Sequence, residues 1–220
     1  MFFKNLFKFL TIHLILTSGL FHLLPLSFET FNRLLLQEHN KFNTWIYPLH
    51  PETPEEGLIL EQLFAGHNID IGKAGERLQQ VARKLNLPLG ERKKTFNSRL
   101  AQELRKWVES KGIGDQFHRA VFNAYFVERI NIGKVDELIR LSKSIALPEE
   151  EAKEVLKSRR YKGEVDSDWN YCYAQDVTAV PNFAIDYQKA VGFQPYEALE
   201  PLFRKLFGLI QKLSQPFFKI

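Results

Sequence analysis

Thiols and imidazoles carry much of protein redox, nucleophilic and metal chemistry, and this sequence is sparing with both. Cys172 is the single cysteine of 220 residues. One cysteine excludes an intramolecular disulfide, a dithiol redox couple and any multi-cysteine zinc or iron-sulfur centre, whatever the fold. The six histidines, His13, His22, His39, His50, His67 and His118, are scattered. No two of them stand four apart on one helix, the spacing that would put both on one face toward a metal, so no metal site is implied. Cys172 lies between Tyr171 and Tyr173 in a helical stretch, where an unpaired thiol reads as a small hydrophobe packed in a core.

Elements that could position a site come next. The apolar run Leu10 to Leu16, closed by Thr17, Ser18 and Gly19, suits a fully buried parallel strand. With Lys4 and Lys8 ahead of it, the same stretch (residues 1–26) also has the shape of a signal peptide. A membrane span is disfavoured, because His13, Gly19, His22 and Pro25 interrupt the roughly 20 apolar residues that a spanning helix needs. Ser27 caps a helix that runs to His39. A second strand, Lys41 to Tyr47, alternates its faces until Pro48 stops it, which completes a strand-helix-strand unit. That unit needs Leu10 to Leu16 in place, so an uncleaved N-terminus and a cytoplasmic location are expected, with export as the alternative if residues 1–26 act as a signal.

Three prolines in Pro48 to Gly57 forbid regular structure, and from there to Ala146 the pattern predicts helices alone: Glu55 to Ala65, Lys73 to Leu87, Lys94 to Lys111, Gln116 to Ile130 and Lys134 to Ala146. Arg92, Lys93, Lys94, Arg99, Arg105 and Lys106 are expected on a solvated face. Pro148 opens a further helix with Glu149, Glu150 and Glu151 in its first turn, where the helix dipole favours acids, and Asp166 to Gln175 reads as another. Asn182 to Ile185 and Ala190 to Phe193 form a hairpin across Asp186 to Lys189, and an amphipathic helix from about Pro195 to Leu213 ends the pattern. The order is β-α-β, a helical block, then β-β-α. That sum is an α/β, thioredoxin-like fold with an inserted α-helical domain, with residues 1–52 and 164–220 forming the thioredoxin-like part and residues 53–163 the insertion.

A formal charge of +4 spread along the chain rather than gathered in an arm implies no nucleic-acid partner. With 45% hydrophobic and 25% charged residues the composition is that of a globular chain, which excludes disorder and coiled-coil readings.

Several segments carry a resemblance. Val177 to Pro181 (VTAVP), the following NFAI, Val191 to Leu199, Pro48 to Gly57 (PLHPETPEEG), the helix around Phe122 to Phe126 and Leu147 to Leu156 together resemble the DsbA family of thioredoxin-like proteins. The similar branch includes the FrnE-like oxidoreductases and the hydroxychromene-carboxylate isomerases, and the likeness spans about Asn40 to Leu213. The resemblance implies a cis-proline at Pro181, with Val180 before it facing the substrate; these two are the expected substrate-binding residues. It also implies a Cys-X-X-Cys motif at the first helix N-terminus, where the helix dipole lowers a thiol's pKa. That register falls on His22 to Pro25, which holds no cysteine, so His22 and Pro25 are positional equivalents only. Isomerase and kappa-class transferase relatives use a serine at the first position, and neither Ser18 nor Ser27 stands there. The expectation is therefore an oxidoreductase by family with no dithiol-disulfide activity. Its alternatives are a peptide- or partner-binding module and a glutathione-linked isomerase or transferase. A thiol, peptide or small molecule is the expected ligand, with no cofactor implied beyond glutathione.

Overall fold

The computed structural model describes residues 12–16, 43–84, 86–180, 182–185, 188–192 and 201. Four strands make the main sheet: β1 (Ile12–Leu16), β2 (Asn43–Ile46), β5 (Asn182–Ile185) and β6 (Gln188–Val191), in the order β2-β1-β5-β6. β1 lies parallel to β2 and antiparallel to β5, which in turn is antiparallel to β6. A parallel pair followed in sequence by an antiparallel hairpin added at the far side of the first strand is the strand arrangement of a thioredoxin-like sheet. The apolar run near the N-terminus is thus an interior strand, paired on both sides. The helix expected between Ser27 and His39 and the one from Pro195 to Leu213 lie outside the described residues.

The hairpin differs in register from expectation. Ile185 pairs with Gln188, so only two residues connect the strands, and β6 ends before Gly192, whose φ of 78° is left-handed. Gln188 and Lys189 are polar edge residues that hydrophobicity does not flag, which is why the strand was expected to begin two residues later.

Between the halves of the sheet come the helices α1 (Leu60–Leu63), α2 (Ile71–Lys84), α3 (Arg99–Ser110), α4 (Gly114–Phe122), α5 (Val135–Ser144), α6 (Glu149–Ser158) and α7 (Lys162–Ala174). The expectation of helices alone is corrected: β3 (Leu58–Ile59) and β4 (Lys94–Thr95) form a two-stranded antiparallel ladder. Two residues per strand are too few to show a period, and partners some 35 residues apart in sequence leave no local signal. The helix expected from Glu55 shrinks to α1 for the same reason, since Leu58 and Ile59 are taken by the ladder. Gly57 makes the turn into it with φ at 80°. α4 runs into a π turn at Asn123–Val127, where the Glu128 amide reaches back to the Asn123 carbonyl at 3.0 Å.

One core gathers the apolar stripes of α3 to α6: Leu104, Trp107 and Val108 meet Phe117 and Val121, with Leu138, Leu141, Val155 and Leu156 closing it. Each stripe follows helical spacing, so one face of each helix is removed from water. α7 connects this core to the sheet. Val165, Asp168 and Cys172 fall at three- and four-residue spacing and are all buried, while Trp169 looks toward α3, its Nε1 donating to Gln102 Oε1 at 3.0 Å. α7 begins a turn earlier than expected, at Lys162, because Arg159 (φ 52°) ends α6 in a left-handed turn and the Val165 amide reaches the Tyr161 carbonyl.

The expectation that Arg99, Arg105 and Lys106 lie on a solvated face is also corrected. Their side chains are only 14–15% exposed, whereas Lys93 is 74% exposed as expected. Arg99 lies 4.5 Å over the Trp169 ring and donates to Glu103, Asp166 and the Lys162 carbonyl, so it belongs to the contact between α3 and α7. Glu103, 2% exposed at its side chain, also accepts both Nε and Nη2 of Arg159 at 2.7 Å. A buried carboxylate needs such partners to remain charged.

Candidate functional site

Strand register defines one end of the sheet. Leu16 pairs with Ile46, and Ile15 with Asn182, so the carboxyl ends of β1 and β2 and the amino end of β5 share an edge. Carboxyl ends of parallel strands are where α/β folds open to ligands, because the chain leaves the sheet there in loops. Val180, two residues before β5, is 7% exposed and packs with Cys172 and Val177 against Trp45 and Tyr47. Pro181, His22 and Pro25 lie outside the described residues.

α7 supports this edge through β2. The Ile46 amide donates to Asp168 Oδ2 at 3.1 Å, the Cys172 thiol lies 3.6 Å from the Ile46 carbonyl oxygen, and Lys106 Nζ bonds Asp168 Oδ2 at 2.6 Å. Asp168 and Cys172 stand four apart on one helical face, so two side chains satisfy the amide and carbonyl of a single strand residue. Trp45 stacks on Tyr171 at 4.4 Å, and Tyr47 meets Tyr173 edge-on at 6.2 Å.

These contacts decide what the groups can do chemically. Burial first, then the Asp168 carboxylate, push the Cys172 thiol up to about 12, against a weaker opposing pull from its backbone hydrogen bond and Lys106. At neutral pH Cys172 is a protonated thiol, fully buried, and no nucleophile. Burial also raises Tyr47, with Tyr173 and Cys172 adding to it, so Tyr47 stays a neutral phenol. Among the described residues no group of three or more His, Cys, Asp or Glu side chains could hold a metal ion.

The sequence pattern marks Asn182 as no more than the first residue of a strand. Its side chain is 3% exposed at the amino end of β5, and its Oδ1 has no hydrogen-bond partner among the described residues. A buried polar residue directly after the Val-Pro pair is the signal that could have marked it. Asp168 and Lys106, by contrast, are 62 residues apart in sequence and reach Ile46 only through tertiary packing, so no local pattern announces them.

Sheet order, the crossing of α7 and the helical core between the two halves define a thioredoxin-like protein with a helical insertion. The chain belongs to the family of DSBA-like thioredoxin domains, whose model matches residues 28–204. Among solved structures it is similar to a probable DsbA oxidoreductase of Streptomyces coelicolor, with a TM-score of 0.76 at 18% identity, covering 96% of this chain and 93% of that one. It is similar, too, to a 2-hydroxychromene-2-carboxylate isomerase (TM-score 0.60, 14% identity, 93% of this chain and all of that one). A further likeness is to the cytosolic disulfide reductase DsbM of Pseudomonas aeruginosa, solved with glutathione (TM-score 0.55, 13% identity, 93% and 98% covered). At these identities the likeness is one of fold. An uncharacterized Bacillus subtilis protein, YwbO, is 34% identical over 73 residues, which is 33% of this chain and 36% of that relative, so the match spans about a third of its length.

Proposed function

We propose that this protein is a DsbA-family member that has kept the family's ligand groove and lacks dithiol-disulfide exchange. The observation that carries the reading is the state of its one thiol. Exchange chemistry needs an accessible thiolate and a second thiol to resolve the mixed disulfide. Cys172 is buried, protonated and bonded to Ile46, and the sequence contains no second cysteine. On this reading the ligand groove lies at the open end of the sheet beside Val180, and the family resemblance implies Pro181 and His22 to Pro25 as its other borders. Its ligand is a thiol, glutathione or peptide, held by backbone pairing beside a cis Pro181. A likeness to a glutathione-bound fold relative supports that ligand class.

The location is read as cytoplasmic, with Ile12–Leu16 serving as a strand of the fold; the pairing of β1 on both sides supports the second part of this reading. Among the described residues no helix is long and apolar enough to cross a membrane. Mass spectrometry of the mature protein finding the first twenty or so residues removed would refute that reading.

Insulin reduction by the purified chain is the test of the missing exchange activity: turnover above background overturns it. Thermal denaturation with excess glutathione or a cysteine peptide tests the groove, since a ligand of the folded state raises the melting temperature. The shift should vanish in Val180→Arg. Because Val180 is buried, Val180→Ala serves alongside as a variant that keeps the fold; a full shift in both variants would remove the groove from the proposal.

A further inference from the structure

The formal charge of +4 has a definite place in the fold. Residues 70–94 hold seven cations against three acids, Asp70, Glu76 and Glu91. That excess of four equals the excess of the whole chain, so the remaining residues are neutral in sum. Ion pairing sharpens the contrast. On α3, Arg99, Arg105 and Lys106 each hold a carboxylate at 2.6 or 2.7 Å. On α2 only Lys73 reaches an acid, Asp70 at 3.2 Å, and Asp70 is already engaged as the acceptor of the Lys73 amide at the start of the helix. Arg77, Arg83 and Lys84 hold no acid among the described residues.

Helical geometry collects these charges. At about 100° per residue Lys73, Arg77 and Lys84 fall within about 40° of one another, in a stripe roughly 16 Å long. All three are exposed, and Ala82, the buried residue of α2, stands on the opposite side. The stripe therefore faces solvent. The chain that leaves α2 returns along its flank: the Leu87 amide donates to the Ala82 carbonyl at 2.9 Å, and Gln79 Nε2 donates to the Leu89 carbonyl at 3.3 Å. Lys93 and Lys94, both exposed, follow within five residues of that contact. At the amino end, Ile69 is 45% exposed.

We propose that α2 and the segment returning along it are the face by which this protein rests on an anionic bilayer surface as a peripheral contact. A convex row of unpaired cations with an aliphatic side chain at one end suits such a surface. Lipid headgroups move laterally to meet fixed cations, and the acyl boundary takes the isoleucine. A folded acidic protein would need carboxylates at matching places, and a phosphate backbone offers nothing to Ile69. The face is independent of the ligand groove and of the function proposed above.

The test is co-sedimentation of the full chain with vesicles of equal parts phosphatidylserine and phosphatidylcholine. Binding should weaken as salt rises and be absent with phosphatidylcholine alone. Arg77→Gln combined with Lys84→Gln should weaken it about thirtyfold, the weight of two cations near the surface. Lys157→Gln combined with Arg160→Gln removes the same charge from the end of α6 and should change it little. All four positions are exposed, so both double variants keep the fold, which thermal denaturation checks. No binding to the anionic vesicles, or an equal loss in the two double variants, overturns the proposal. A duplex oligonucleotide supplies the rival anion. Weaker vesicle binding by Ile69→Ser, with oligonucleotide binding unmoved, supports the lipid surface. Oligonucleotide binding as tight as vesicle binding, with neither changed by Ile69→Ser, assigns the face to nucleic acid and overturns it.

Discussion

Cys172 and Ile46 meet where α7 crosses the edge of the sheet, the thiol 3.6 Å from the carbonyl oxygen. One turn earlier on the same helix Asp168 accepts the Ile46 amide. An exposed strand edge presents unpaired amides and carbonyls, and here two side chains from a covering helix satisfy those of Ile46. The lone cysteine thus has a structural occupation.

Cys172 should therefore resist thiol reagents in the native protein. Labelling with Ellman's reagent at pH 8 is expected to proceed only at the rate of unfolding, and to become fast and stoichiometric in denaturant. Rapid labelling of the folded chain would show the thiol to be reachable.

The same contact predicts an alkaline limit. The folded thiol titrates near 12 against an ordinary value of 9.0, so its neutral form is favoured by folding. Its contribution is complete below pH 9 and is lost as the pH rises toward 12. Urea midpoints measured from pH 8 upward should fall in the wild type. Cys172→Ala should fall less steeply, starting from a stability lower by about 1 kcal/mol for the missing sulfur. Parallel curves would assign the decline to other groups.

Lys106→Met leaves the Asp168 carboxylate, 11% exposed, with the Ile46 amide but without its cation. Removing one partner of a largely buried pair costs about 3 kcal/mol, which calorimetry or urea unfolding would read. Lys106→Met with Asp168→Asn should recover part of that loss. No recovery would mean that the two residues are not coupled.

Glu103 supplies the acid limit. Burial alone would raise its carboxyl, but the hydrogen bonds from Arg159 and Arg99 outweigh burial and hold it below its usual 4.5. Its stabilisation is present above pH 4.5 and disappears as the pH falls through the lowered folded value. Melting temperatures between pH 6 and 3 should drop steeply in the wild type and more gently in Glu103→Gln, which starts lower. An unchanged slope would exclude Glu103 as a main contributor.

Gly57→Ala tests the turn into the small ladder. At a φ of 80° an added Cβ would lie 2.5 Å from Phe96 Cδ1 and 2.6 Å from the Thr95 carbonyl oxygen. The left-handed backbone alone costs about 1 kcal/mol for alanine, and the contact with a main-chain oxygen adds to it. Gly66→Ala is the control, with a φ of 79° and nothing within 4 Å, and its smaller loss isolates the steric part. Equal losses would remove the close approach from the account.

Periodicity and punctuation were enough for the large elements. The run ending at Leu16, the alternation up to Ile46 and the helical stripes through Leu104, Phe117 and Leu138 each express a local rule, in which one face of a regular element is apolar because it leaves water. The count of one cysteine likewise excluded dithiol chemistry before any fold was known. Tertiary structure alone decided where charge and hydrogen bonds go. Arg99 and Lys106 look like surface residues in a helix pattern, and their burial depends on α7 arriving from more than sixty residues away. The Leu58–Ile59 ladder and the cap on Ile46 are pairings between distant segments. A side chain's partner is set by which segments packing brings together, and a one-dimensional pattern carries no record of that.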